Sequence, residues 1–266
     1  MSSFFELIRK THDKYYLDNC PMLAAALAYY SFFSIFPFLL FLIYFGSEVL
    51  AVSGLQQELI HSLGQFLPTG AEAIAGVVTT TISHSRSLGW VGLVGLLWSA
   101  SSIFAVLETA LNRIWRTRAR GFWRKRLMAT LSILSLCLLF LVVIGLGHFL
   151  PSMLTLAEHP GTQWLGQLTA FVLLIVVISL LYTILPNRRI PPRIAWLAGL
   201  TAATLLFTAR ALFDLFIRSA FNNYGAVYGS LAWVVSLALW AYVVANLFLL
   251  GAELGSVLEK SEEKPV

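Results

Sequence analysis

Charged residues are scarce in this 266-residue chain, at 12% of the sequence, whereas hydrophobic residues reach 58% and the mean hydropathy is +0.79. Soluble domains carry about 25% charged residues, because a polar coat must hold their surface in water. Half that fraction cannot cover a globule of this size. We therefore expect most of the surface to face lipid, which excludes a soluble enzyme or a soluble nucleic-acid-binding domain.

Residues that build metal and nucleotide sites are also few. The chain has two cysteines and five histidines, with neither a CxxC pair nor a histidine cluster. It contains no HExxH zinc motif, no GxSxG nucleophile elbow and no GxxxxGK[ST] phosphate loop. We predict that the protein is not an enzyme, with no catalytic residue, no metal site and no cofactor.

Long apolar runs are what the sequence has instead. A helix needs about 20 mostly apolar residues to cross the hydrocarbon layer, and six stretches qualify without the period-two alternation of a barrel wall. We predict an all-α, polytopic membrane protein with an N-terminal interfacial segment at 1–25, a six-span bundle at 26–253 and a cytoplasmic tail at 254–266. The predicted spans are 26–52, 88–111, 127–150, 164–185, 194–217 and 229–252.

Lysine and arginine are distributed unevenly between the connections. Fifteen of the 18 lie in the N-terminal segment, the second and fourth connections and the tail, which six spans would place on one side of the membrane. The connections on the opposite side have only Arg86 and Arg218, and Arg210 lies within a span. The positive-inside rule then places both termini in the cytoplasm. The net charge of +5 is thus interpreted as topology and contact with anionic lipid, not as nucleic-acid binding.

Two segments outside the spans have helical amphipathic patterns. In the first outer connection, apolar residues recur at helical spacing between Leu55 and Phe66 before Pro68, which predicts two short amphipathic helices within 53–87. At the N-terminus, Phe5 and Ile8 beside Arg9 predict a helix at the inner membrane interface.

The second connection is rich in arginine and is interleaved with Trp115, Phe122 and Trp123. An RNA-binding patch has a similar composition. The position between two span ends favours a membrane anchor, with aromatics in the headgroup zone and arginines holding anionic lipid headgroups. The candidate lipid contacts are Arg113, Arg116, Arg118, Arg120, Arg124, Lys125 and Arg126.

Ionisable residues within spans are costly and therefore informative. Glu108, with Asn112 one turn later, and Glu253 lie near predicted cytoplasmic span ends. These carboxylates could bind a proton or a cation, or gate an inner opening. Alternatively, each pairs with a neighbouring arginine, such as Arg113 or Arg116, and fixes a helix end at the interface.

Arg210 and Asp214 are four residues apart on the fifth predicted span and share a face. From the inner end at Ile194, Arg210 is about 24 Å along the helix, in the outer half of the bilayer. In one interpretation the pair receives an anionic group, to which arginine can donate two parallel hydrogen bonds. In the other, the pair is part of an internal ion pair that holds spans together.

Proline and glycine mark further positions within the spans. Pro37 removes a backbone donor in the first span, which indicates either a break that lines a pathway or a kink that neighbouring groups tolerate. Gly251 and Gly255 place small residues where two helices can approach closely.

Five motifs follow one another along the chain: Leu23 to Pro37, Ala110 to Trp115, Tyr182 to Asn187, Tyr228 to Ser230 and Leu250 to Glu253. In this order they resemble the YihY/virulence factor BrkB family of bacterial inner-membrane proteins, whose members were once labelled ribonuclease BN. The resemblance implies a six-span, multi-pass protein of the bacterial inner (cytoplasmic) membrane with a role at the envelope.

Three functional hypotheses follow. The first is a transporter or flippase-like protein for an anionic amphiphile, either a lipid or a lipid-linked precursor. In it, Arg210 meets the anionic group, Asp214 adjusts that arginine, and Glu108 with Glu253 acts at an inner gate. The second is a non-transporting envelope scaffold or lipid-binding protein, and a membrane-associated ribonuclease ranks third. The expected partners are membrane lipids with anionic headgroups, together with a second copy of the chain or another envelope protein, and not nucleic acid.

Overall fold

The computed structural model describes residues 2–44, 85–118, 121, 162–228 and 231–262. Within these ranges helices joined by short connections are found and no strand, which confirms the predicted all-α class for this part of the chain. The third predicted span, 127–150, and the amphipathic helices predicted within 53–87 lie outside the described residues. The helices are α1 (Ser2–Leu17), α2 (Cys20–Tyr44), α3 (Ser85–Ile114), α4 (Thr162–Ile184), α5 (Pro192–Tyr228) and α6 (Leu231–Glu262).

Two of these helices contain segments long and apolar enough to cross a membrane, Pro192–Phe216 in α5 and Val234–Glu262 in α6. The apolar windows that define them are only 28% and 22% buried within the protein. A core helix of a soluble protein would bury most of such a window, because its apolar residues have no other shelter from water. The exposed apolar surface of both helices therefore favours a membrane protein.

Helix boundaries follow contacts as well as hydropathy. α5 runs for 37 residues and α6 for 32, and α6 continues ten residues past the predicted span end at 252. Ser256 and Glu259 in this extension are buried and hydrogen-bonded, so packing within the protein sustains the helix where the apolar run has ended. α2 continues through Pro37, which lies in the helix interior.

The chain divides into two compact units. The first unit comprises residues 1–24, 104–209 and 244–266, and its core includes the buried side chains of Leu111, Tyr182 and Leu249. In this unit α5 and α6 approach so closely that a Cβ atom on Gly251 would lie 2.6 Å from the Cβ of Ala202. This contact agrees with the role predicted for the small residues of α6.

The second unit comprises residues 25–103 and 210–243. Aromatic rings join its two long helices, since Phe213 of α5 lies 4.7 Å from Trp240 of α6 between ring centroids. Phe216 lies 6.1 Å from Phe213 on the same side. The C-terminal half of α5 is thus attached to α6 by ring packing.

Candidate functional site

The N-terminal helix α1 docks in the first unit through a face that is largely polar. Thr11, Lys14, Tyr15 and Asp18 are buried and recur at intervals of three and four residues, which places them on one side of the helix. The Tyr15 hydroxyl donates a hydrogen bond to Oδ1 of Asn246 in α6. Hydrogen bonds and ion pairs therefore contribute much of the α1 contact, alongside the buried Tyr15 ring.

Lys14 is the centre of this contact. Its Nζ atom donates to Asp18 Oδ2 at 3.0 Å, to Glu253 Oε2 at 2.5 Å and to the backbone carbonyl of Ile114 at 2.8 Å. An ammonium group has three donors, so each of them has an acceptor. The same carbonyl of Ile114 accepts a hydrogen bond from Ser256 Oγ at 3.1 Å, and a cation is favoured there because the α3 dipole ends in negative charge.

Each carboxylate that faces Lys14 has a second partner. The Cys20 thiol donates to Glu253 Oε1 at 3.3 Å, and an Arg116 guanidinium nitrogen lies 3.1 Å from Asp18 Oδ1. We call Lys14, Asp18, Arg116 and Glu253 the ionic cluster. Its two formal positive and two formal negative charges balance, so each buried carboxylate has a cationic partner.

Two left-handed backbone positions shape the ionic cluster. Asn19, at φ 53°, connects α1 to α2 and lies between Asp18 and Cys20, both of which are buried. Arg116, at φ 54°, closes α3 with the hydrogen-bond pair typical of a Schellman motif: Thr117 N to the carbonyl of Asn112, and Arg116 N to that of Arg113. Both turns bring cluster residues to helix ends.

Asn112 organises a second polar site in the same unit. Its Oδ1 accepts hydrogen bonds from Thr117 Oγ1 and from the backbone N–H of Asn187, each at 2.7 Å. Its Nδ2 donates to Oε1 of the buried Glu108 at 3.4 Å. Asn187 in turn donates from Nδ2 to the carbonyl of Arg118 at 3.1 Å. Asn112 thereby ties the end of α3 to the connection between α4 and α5.

Two other ion pairs differ in burial. Arg188 contacts the buried Glu259 at 2.9 Å, whereas Glu6 contacts Lys10 at 2.7 Å with both side chains exposed. The hydrogen bond from Lys10 and its positive charge lower the pKa of Glu6 below the ordinary value. Because water screens pairs this exposed, Glu6 and Lys10 add little to stability.

The structure brings Glu108, Asn112 and Glu253 into one unit. In place of the expected arginine, Glu253 pairs with Lys14, because α1 docks against α6 and supplies an ammonium group that the hydropathy pattern does not indicate. Arg116 pairs with Asp18, although its side chain remains 61% exposed. Arg113 and Arg118 are also exposed, whereas the remaining predicted lipid contacts, Arg120, Arg124, Lys125 and Arg126, lie outside the described residues.

Arg210 and Asp214 lie in the second unit and are exposed on α5. Neither forms a hydrogen bond or an ion pair with another residue in the described ranges. Large exposed apolar side chains surround them along the helix, including Leu212 and Leu215 at 63% and 65% exposure. The described residues thus provide no internal ion pair for Arg210, and its guanidinium projects from an apolar surface.

Sequence reasoning missed Lys14, Asp18 and Cys20 as site residues. The polar residues at positions 11, 14 and 15 of α1, with Asp18 directly after it, form one helical stripe, and this periodicity was the available signal. Among the described residues, no group of three or more His, Cys, Asp or Glu side chains is placed to hold a metal ion.

Comparison with known proteins gives a consistent family. The family described as Virulence factor BrkB matches residues 11–265. A UPF0761 membrane protein of Pseudomonas paraeruginosa is 30% identical over 264 residues, which cover 96% of this chain and 63% of that protein. A UPF0761 membrane protein of Psychromonas ingrahamii is 29% identical over 251 residues, covering 91% of this chain and 84% of that protein.

A third relative, the UPF0761 membrane protein of Azotobacter vinelandii, is 30% identical over 254 residues, covering 92% of this chain and 61% of that protein. The chain therefore spans less than two thirds of the length of the Pseudomonas and Azotobacter relatives. The names of all three relatives describe membrane proteins. No solved structure matches the chain.

Proposed function

The chain belongs to the Virulence factor BrkB family, and we propose that it is a multi-pass protein of the bacterial inner membrane that moves an anionic amphiphile between leaflets. The transported molecule would be a lipid or a lipid-linked precursor used in envelope maintenance. In this proposal the protein acts as a flippase-like transporter, and the six predicted spans form its membrane domain.

The exposed Arg210 is the observation that carries this proposal. An arginine on an apolar, membrane-capable helix is costly unless it finds a counter-charge or reaches water. The phosphate of a lipid headgroup is such a counter-charge, because the guanidinium can donate two parallel hydrogen bonds to it. Asp214, one turn further along α5, would adjust the charge that Arg210 presents and limit how tightly the anion is held.

Contacts within the first unit support the proposed orientation. The four segments predicted to be cytoplasmic touch one another: Lys14 bonds the end of α3, Asn187 bonds the segment after α3, and Arg188 pairs with Glu259 near the end of α6. Segments that share one end of a unit are expected on one side of a bilayer. This arrangement supports a common side for both termini, and the positive-inside rule assigns that side to the cytoplasm.

Reconstitution tests the transport proposal directly. We would place the purified full chain in liposomes containing fluorescent phosphatidylglycerol and follow its movement between leaflets by quenching with dithionite. The proposal predicts faster movement than in protein-free vesicles, and a loss of most of the increment in Arg210→Gln. The matched control is Arg193→Gln, which removes an arginine that is 79% exposed at the start of the same helix.

The outcomes separate transport from its absence. Equal rates in vesicles with and without protein, both with and without a proton gradient, would reject transport. Equal losses in Arg210→Gln and Arg193→Gln would reject the specific role of Arg210, since a general loss of basic charge would then explain the effect. Zwitterionic phosphatidylcholine should move more slowly than the anionic lipid.

One observation favours the second candidate, a non-transporting scaffold. Glu253 is fully buried, and Lys14 and Cys20 both bond it, an arrangement suited to holding helices together rather than to gating. In the transport proposal Glu108 and Glu253 remain the carboxylates of an inner gate. A scaffold predicts that Glu253→Gln changes thermal stability, while no lipid movement occurs in any variant.

A further inference from the structure

The surface of α1 that faces away from the rest of the first unit has two chemically different sectors. The apolar sector contains Phe5, Ile8, His12 and Tyr16, at intervals of three, four and four residues. Phe5 and Tyr16 are 67% and 58% exposed, and the His12 and Tyr16 rings lie 4.9 Å apart between centroids. The charged sector contains Glu6, Lys10 and Asp13, which are also exposed.

The docked face fixes the rotation of α1 about its own axis. Lys14 and Asp18 are held in the ionic cluster, and Tyr15 is bonded to Asn246. With these three side chains directed inward, the 3.6-residue period assigns the apolar and charged sectors to different sides of the remaining surface. The exposure of Phe5 and Tyr16 is thus a consequence of the polar contacts on the other face.

We propose that the apolar sector of α1 lies in the headgroup region of the bilayer, with the charged sector facing water. Three observations identify lipid as the occupant. First, α1 is bound to α6, which carries an exposed membrane-capable segment. Second, the sector combines Phe5 and Ile8 with the amphipathic rings of His12 and Tyr16, which suit the boundary between headgroups and acyl chains.

The third observation is charge. Arg9 borders the apolar sector and is exposed, and Arg113 and Arg116 are exposed near the end of α3, close to where α1 docks. Basic residues at this depth attract the anionic headgroups of the cytoplasmic leaflet. This inference requires membrane insertion but not transport, so it stands or falls independently of lipid movement.

Spin labelling of the reconstituted full chain tests the inference. Single cysteines would replace Phe5, Ile8 and Tyr16 in the apolar sector, and Glu6, Lys10 and Asp13 in the charged sector, in a background with Cys20→Ser and Cys137→Ser. Vesicles of phosphatidylethanolamine and phosphatidylglycerol would supply the bilayer. Collision rates with oxygen, which concentrates in lipid, and with a nickel chelate, which stays in water, then report the surroundings of each label.

The inference predicts that collisions with oxygen dominate at positions 5, 8 and 16, and that the order reverses at positions 6, 10 and 13. Dominant nickel collisions in both sectors would overturn it, because the helix would then lie in water. Low collision rates for both reagents in the apolar sector would also overturn it, since a protein partner or a second copy would then cover this face. The exposed charged-sector labels serve as matched controls for folding and labelling.

Discussion

The Lys14 ammonium joins three parts of the chain, because its donors reach Asp18 after α1, Ile114 at the end of α3 and Glu253 within α6. Sequence reasoning found Glu253 from its place near a span end and in a motif. It treated Lys14 only as a marker of topology. Which cation meets a given carboxylate depends on how α1 packs against α6, and a hydropathy pattern does not specify that packing.

Replacing Lys14 with Met should destabilise the protein strongly. The Met side chain retains the apolar stem but leaves Glu253 without its cation, and breaking one partner of a buried pair costs about 3–5 kcal/mol. We expect a clear fall in the thermal unfolding midpoint in detergent. Lys10→Met is the matched control, since its pair with Glu6 is exposed and is worth about 0–1 kcal/mol.

A second substitution separates lost pairing from lost packing. In Lys14→Met combined with Glu253→Leu, the uncompensated carboxylate is gone, and apolar replacements of a buried pair are often neutral. The double variant should therefore unfold at a higher temperature than Lys14→Met alone. An equal or lower midpoint would show that the ionic cluster does not act as a coupled unit.

Asn112 should be sensitive to truncation for a different reason. Asn112→Ala removes the acceptor that serves both Thr117 Oγ1 and the Asn187 backbone N–H, and an unsatisfied polar group costs about 1–3 kcal/mol. We expect a lower unfolding midpoint. The control is Thr109→Ala, because the exposed Thr109 hydroxyl bonds the carbonyl of Ala105 in its own helix; equal effects of both would contradict the role of Asn112.

At the scale of helices, apolar runs predicted where α2 to α6 occur but not where they end. α6 extends to Glu262 because its last turns pack in the first unit, and α5 extends to Tyr228. The predicted approach of helices at Gly255 is also borne out, since a Cβ atom there would lie 2.8 Å from the Cβ of Ala198. Small residues are visible in a sequence, whereas the helix that they face is not.

The close approach of α5 and α6 can be tested by substitutions at Ala198 in α5 and Gly255 in α6. Gly255→Ala should lower the unfolding midpoint, because overpacking costs about 1–3 kcal/mol, partly offset by the better helix propensity of alanine, about 1 kcal/mol. Adding Ala198→Gly removes the atom nearest to the new Cβ, and the other neighbours lie at 3.7 Å. The double variant should be more stable than the sum of the two single effects predicts.

Gly121→Ala is the matched control for this pair, since no atom in the described ranges would lie within 4 Å of a Cβ atom at Gly121. We expect a change within about 0.5 kcal/mol there. Strict additivity of Gly255→Ala and Ala198→Gly would mean that the two positions do not touch in the membrane-embedded protein.

For the whole molecule, the motif resemblance is confirmed by the family match over residues 11–265. The membrane class is supported by the relatives, which are named membrane proteins, together with the exposed apolar segments of α5 and α6. Motifs that are far apart in sequence meet in the first unit, where Asn112 bonds Asn187 and Trp115 lies 5.9 Å from Tyr182 between ring centroids. Family motifs thus identified positions that interact, although sequence alone did not specify their contacts.

The orientation of the chain yields the last prediction. If the Lys- and Arg-rich segments face the cytoplasm, single cysteines at Arg118, Arg189 and Lys260 should react with a membrane-impermeant maleimide only after intact cells are permeabilised. All three side chains are exposed, so burial would not explain protection. A cysteine at Glu158, in the connection predicted to be outside, should react without permeabilisation and serves as the positive control. Reaction of the cysteine at position 118 in intact cells would show the opposite orientation. It would apply to the α4–α5 connection as well, because the hydrogen bond from Asn187 to the carbonyl of Arg118 keeps that connection on the same side.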